Sequence, residues 1–127
     1  MADKRFQPED LLPLTPAVFH ILLALADRER HGYAIMQEVA ENSRGKVQMG
    51  PGTLYGSIKR MLAAKLIEES DERPDPEMDD ERRRYYRLSE FGRKVLSMEV
   101  ARLNHLVEVA RAKKLAGDAS HRLQTGT

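Results

Sequence analysis

GPGTLYGSIKRMLAAK, the stretch from Gly50 to Lys65, decides how the rest of the chain is read. Gly50-Pro51-Gly52-Thr53 supplies a turn and a proline preorganised for a first helical position, so a helix is expected to open there and run to about residue 65. On a wheel of about 100° per residue, Leu54, Ile58, Met61 and Leu62 form one apolar stripe, whereas Gly52, Thr53, Gly56, Lys59, Arg60 and Ala63 face away. One side is built to be buried. The other is small and basic, as a helix laid against a polyanion requires.

Upstream, Thr15-Pro16 gives an N-cap followed by a helix-starting proline, and Val18, Ile21, Leu22, Leu25 and Ala26 share a stripe, which predicts a helix over about 16–26. His31-Gly32 restarts the chain after the charged connector 27–30, and Ile35, Met36, Val39 and Ala40 repeat the stripe in a second helix ending near Glu41. Asn42-Ser43-Arg44-Gly45 reads as a turn, and the alternation over 46–49 is compatible with a very short strand. Downstream, 66–70 and 83–88 read as a hairpin, with Tyr86 and Leu88 on one face and Arg83, Tyr85 and Arg87 on the other. Its connection, 71–82, holds Pro74, Pro76 and many acids, which excludes a tight turn and predicts an exposed, mobile loop.

Helix, helix, helix, strand, strand is the order of a winged helix-turn-helix, whose third helix reads a DNA major groove. A fourth helix, capped by Ser89 and expected to reach about Leu115, is surplus to that module. Leu96, Val100, Leu103, Val107 and Ala110 follow the alternating spacing of a coiled-coil seam, which points to contact with a second copy; folding back over its own core is the other reading. The fold class expected is therefore mainly α with a small β-hairpin. A flexible arm is expected over 1–10, a winged-helix domain over 11–88, a dimerisation helix over 89–116 and a disordered tail over 117–127.

With 127 residues, 41% hydrophobic and 32% charged, there is room for one folded domain and none for a large multidomain enzyme. The chain contains no cysteine, which removes disulfides and thiolate chemistry. The longest apolar run, residues 21–26, falls far short of the roughly 20 residues of a membrane span, so a cytoplasmic protein with no membrane partner is expected. The net charge of +1 conceals strong segregation: residues 43–65 carry five basic groups and no acid, 68–81 carry nine acids and one Arg, and 82–94 carry six basic groups and one acid. If folding joins the two basic blocks, a polyanion becomes a candidate partner.

Gly52 and Gly56 permit close backbone approach, Thr53, Ser57, Lys59 and Arg60 offer hydroxyl and cationic donors, and Arg is the best geometric match to guanine. Tyr55, at the flank of the stripe, and Tyr33, at the start of the second helix, are candidate DNA contacts whose rings can pack below while the hydroxyl reaches a phosphate; core packing alone is the other reading. His20 sits beside the apolar stripe of the first helix and reads as packing. No enzyme is expected: the glycines of 50–56 lack dinucleotide-loop spacing and a Walker lysine, no nucleophile, base and orienting group are visible, and the acids of 68–81 lack EF-hand spacing. No metal site or cofactor is expected.

Taken together, Ile21-Leu22-Leu23-Ala24-Leu25 leading to His31-Gly32-Tyr33-Ala34-Ile35, Gly52-Thr53-Leu54-Tyr55 with Lys59-Arg60-Met61-Leu62, Leu66-Ile67-Glu68, and Arg84-Tyr85-Tyr86-Arg87-Leu88-Ser89 with Gly92-Arg93 resemble the PadR family of bacterial transcriptional regulators. With its single last helix the chain resembles the short-type members, which dimerise through that helix. The resemblance implies a dimeric repressor that binds double-stranded DNA at an inverted repeat and is often released by a small molecule. There are two departures. Gly56-Ser57 follows Tyr55 where the family commonly has proline, and the acidic hairpin loop is long, so that phosphate contact from the wing falls to Arg82, Arg83 and Arg84. An apolar effector site is expected where Leu11, Leu12, Leu14 and Phe19 meet Leu103 and Leu106 near the dimer seam. The competing reading is a winged helix that binds protein instead of DNA.

Overall fold

The computed structural model describes residues 7–70 and 84–115. A 3-10 helix, Pro8–Leu11, precedes α1 (Pro16–Ala24), β1 (Arg30–His31), α2 (Gly32–Asn42), α3 (Pro51–Ala63), β2 (Ile67–Glu69), β3 (Tyr85–Leu88) and α4 (Glu90–Ala112). A winged helix-turn-helix followed by a long helix is therefore what the sequence folds into.

The local causes are simple. Thr15 Oγ1 accepts the Val18 amide at 3.2 Å, His31 Nδ1 accepts the Ala34 amide at 3.2 Å, and Ser89 Oγ accepts the Gly92 amide at 2.8 Å, so three of the four α-helices start on a side-chain cap. Three helices also end alike: Arg44, Lys65 and Lys114 adopt positive φ just past α2, α3 and α4, and the following amides of Gly45, Leu66 and Leu115 return to Ala40, Met61 and Ala110. Basic side chains at these positions also face the negative end of each helix dipole.

Ile21, Leu22, Leu25, Ile35, Val39, Leu54, Ile58 and Met61 fill the core among the first three helices, closed by Ile67, Tyr86 and Leu88 from the sheet and by Val95 and Leu96 from α4. Burial of Tyr86, followed by the charge of Glu69, pushes its phenol above the ordinary value and keeps it protonated.

The structure corrects four expectations. The sheet has three antiparallel strands in the order β1-β3-β2, with Arg30 opposite Tyr86 and Ile67 opposite Leu88, instead of a lone hairpin. β1 was hidden inside the charged connector because two residues carry no periodicity. Its Arg30 donates to the Ala24 carbonyl at 2.7 Å and lies 3.5 Å from Glu38, so it caps α1, which stops two residues earlier than expected. Residues 46–49 form no strand: Ser43 Oγ accepts the Val47 amide at 2.9 Å, and Val47 and Met49 pack on the core as loop residues. Residues 7–10 are no free arm, because Gln7 is the N-cap of the 3-10 helix and residues 8–10 belong to it, and that helix packs on α4. The expected acidic loop and C-terminal tail lie outside the described residues.

Candidate nucleic-acid interface

α2, the turn 43–50 and α3 make the helix-turn-helix. Pro51, Gly52, Thr53, Lys59, Arg60 and Ala63 of α3 are exposed, and its opposite side carries the fully buried Leu54. Gly50 caps α3 without a side-chain acceptor, so the first-turn amides point outward with the positive end of the helix dipole. A Cβ at Gly50 or Gly52 would meet nothing within 4 Å. The protein's own packing does not demand these glycines. What they leave open is space for the backbone of α3 to approach an external surface.

Arg60 does not stand straight out. Its Nη2 donates to Ser57 Oγ at 3.2 Å, and its Nη1 would lie 3.7 Å from a Cβ at Gly56, so the guanidinium lies along the helix over the missing side chain. Ser57 itself is 3% exposed. This corrects its expected role as an outward donor: the stripe of Leu54, Ile58 and Met61 is wide enough to take in its Cβ, and its hydroxyl orients Arg60.

Tyr55 is half-buried, and its ring sits on the start of α2, where a Cβ on Gly32 would run into the phenol. The ring of Tyr55 therefore packs on α2, and the contact sets α3 against α2. Tyr33, one residue along, is 61% exposed and flanks the same face. Exposed Arg44 and Lys46, in the turn before α3, extend this basic surface. They were counted in the basic block but not placed at the site. The clue was their position inside the turn between two predicted helices.

Among the described residues, the wing arginines are paired with acids. Arg84 Nη1 lies 2.9 Å from Glu69 and Arg87 Nε 3.0 Å from Glu68, both across the hairpin, and Glu68 is the register partner of Arg87. Arg93 donates to the Ala26 carbonyl at 3.2 Å. Antiparallel pairing thus sets the second basic block against the first residues of the acidic one. Arg82 and Arg83 lie outside the described residues.

On α4 the expected seam divides. Leu96 is 6% exposed within its own chain's core, because the first turns of α4 lie on α1, and this corrects its assignment to a dimer contact. Val100 and Val107 are exposed and Leu103 and Ala110 half-buried, with Leu106 and Val109 widening the apolar surface. Leu11, Leu12, Leu14 and Phe19 pack on the core, whereas Leu106, grouped with them as an effector wall, points outward. The buried Glu99 accepts the Leu14 amide at 2.9 Å and Arg102 Nε at 2.6 Å, fastening the N-terminal segment to α4. The Arg102 hydrogen bond, opposed by desolvation and helped by the Leu14 amide, holds this carboxyl below its ordinary value. Among the described residues no cluster of His, Asp and Glu suits a metal ion, and no helix is long and apolar enough to cross a membrane.

This arrangement, a helix-turn-helix with an outward small and basic face on its second helix, defines a protein of the DNA-binding winged-helix class. The chain belongs to the PadR-like family of transcriptional regulators, whose sequence model matches residues 21–98. It is 35% identical over 108 residues to the transcriptional regulator Rv3488 of Mycobacterium tuberculosis, covering 85% of this chain and 90% of that one. A PadR family transcription regulator from Clostridium difficile R20291 shares the fold at a TM-score of 0.63 and 22% identity, over 77% of this chain and 97% of that one. RosR of H. salinarum does so at a TM-score of 0.58 and 23% identity, over 91% and 92%.

Proposed function

We propose that two copies of this regulator bind an inverted-repeat operator as a repressor, each placing the exposed face of α3 in one of two major grooves about 34 Å apart. The observation that carries this reading is the face itself: Gly52, Thr53, Lys59 and Arg60 are exposed behind a first turn whose amides have no side-chain cap. On this reading Arg60, its guanidinium held against Ser57, reads a base edge, and Lys59, Arg44 and Lys46 meet phosphates. The exposed Val100 and Val107 of α4, with the half-buried Leu103 between them, provide an apolar surface for the second copy. A small apolar effector, bound at the dimer seam beside Leu11, Leu12, Phe19 and Leu103, would release the operator if it preferred a different separation of the two α3 helices.

Selection of duplexes from a random pool, followed by titration at several salt concentrations, tests the reading. The expected result is an enriched inverted repeat whose affinity falls steeply with salt. No enrichment and no salt-sensitive binding would refute it in favour of a protein-binding winged helix. Screening small apolar and aromatic compounds for operator release and a shift in melting temperature tests the effector. No change in either readout would remove it.

A further inference from the structure

We infer that the two peptide groups flanking Leu66 are a rigid joint that fixes the angle between the recognition helix α3 and the long helix α4, with Ser89 and Gly92 as its positioning residues. The inference rests on the reading that two copies act on one duplex, because only then does this angle set the spacing of two recognition helices.

The joint is assembled from both sides. α3 ends in a closed turn in which the Lys65 amide returns to Leu62 and the Leu66 amide to Met61, with Lys65 at φ 68°. This leaves the Lys65 and Leu66 carbonyls pointing away from α3. Both are taken by the N-cap of α4: Ser89 Oγ lies 2.6 Å from the Lys65 oxygen and 3.0 Å from the Leu66 oxygen, and the Ser89 amide donates to the Leu66 oxygen at 3.1 Å. Ser89 Oγ also accepts the Gly92 amide. One hydroxyl therefore caps α4 and binds it to the end of α3.

Gly92 closes the contact. A Cβ there would lie 2.9 Å from the Leu66 carbonyl carbon and closer still to its oxygen, and backbone cannot swing aside as a side chain can. β2 starts at the next residue, Ile67, which pairs with Leu88 beside Ser89. α3, the wing and α4 thus meet at the two peptide groups that flank Leu66. A tilt of α4 relative to its partner must carry α3 and the wing with it instead of being absorbed between them.

The chain lacks cysteine, so Gln48→Cys and Ala101→Cys, both at exposed positions, place spin labels just before α3 and on α4. Diluting labelled chains with excess unlabelled protein confines the dipolar signal to one chain. The expected result is one narrow distance distribution that broadens or shifts in Ser89→Ala and in Gly92→Ala and returns in Ser89→Thr. On duplexes of varied half-site spacing, both alanine variants should shift or flatten the spacing preference while binding to a single half-site is kept, whereas simple loss of fold would weaken both alike. An unchanged distance distribution in a Ser89→Ala protein with native helix content would overturn the joint, and that variant decides the matter if Gly92→Ala does not fold. If the unsubstituted protein bound no duplex, the proposed function would fall while the label distances still judged the joint.

Discussion

Glu99 offers the sharpest test of how the N-terminal segment is held. It is 2% exposed, and its carboxylate accepts both the Leu14 amide at 2.9 Å and Arg102 at 2.6 and 3.0 Å. Glu99→Ala removes a charged acceptor from the part-buried Leu14 amide, a loss of about 1.5–3 kcal/mol. The cost is bounded by the work of releasing residues 7–14 from α4, after which water satisfies the amide. A melting temperature lower by roughly 5–15 °C is expected at fixed protein concentration, together with loss of hydrogen-exchange protection at Leu14.

The pH dependence has a definite sign. The folded carboxyl titrates below its ordinary value of 4.5, so the unfolded chain takes up the proton first as the pH falls. The stabilisation is complete above that value and drains away as the pH drops through the folded one. Glu99→Ala should therefore differ most from the parent near neutrality and converge with it in acid. Unchanged Leu14 protection in the variant, or a stability gap that widens in acid, would refute the latch.

Three further outcomes are expected. Arg60→Ala should weaken operator binding by about 1–3 kcal/mol in a fluorescence titration while leaving the melting curve in place, since Arg60 is exposed. Leu103→Glu, with a charge in the middle of the apolar surface of α4, should sediment as a monomer and lose affinity for two half-sites more than for one. Gly32→Ala should drive the Tyr55 ring off the start of α2, costing about 1–3 kcal/mol in a denaturant titration and weakening DNA binding beyond that of an equally destabilised core variant such as Ile58→Val.

The order of elements, the core stripes and the outward residues of α3 were legible because each rests on local periodicity and capping chemistry. Ile21, Leu22, Ile35, Val39, Leu54, Ile58 and Met61 are buried where a helical wheel puts them. Thr15 and Ser89 cap helices as their sequence positions suggest. Family membership was legible for the same reason, in short motifs spread in order along the chain.

What escaped the sequence depends on partners distant along the chain. Arg30-His31 is a strand because β3 arrives to pair with it, and no two-residue pattern can announce that. The wing arginines look like a basic patch until antiparallel register sets Arg84 and Arg87 against Glu69 and Glu68. Leu96 and Val100 are equivalent members of one seam by spacing, yet the first joins the core of its own chain and the second stays exposed. Glu99 is an ordinary helical carboxylate in the sequence; tertiary structure brings the Leu14 amide to it across 85 residues and turns it into a buried clasp. Sequence by itself determined which faces are apolar, because side-chain chemistry and helical period are local. Tertiary structure decided which charges are neutralised, which apolar residues remain outside and how α3 is joined to α4, because each of these depends on where a remote segment comes to rest.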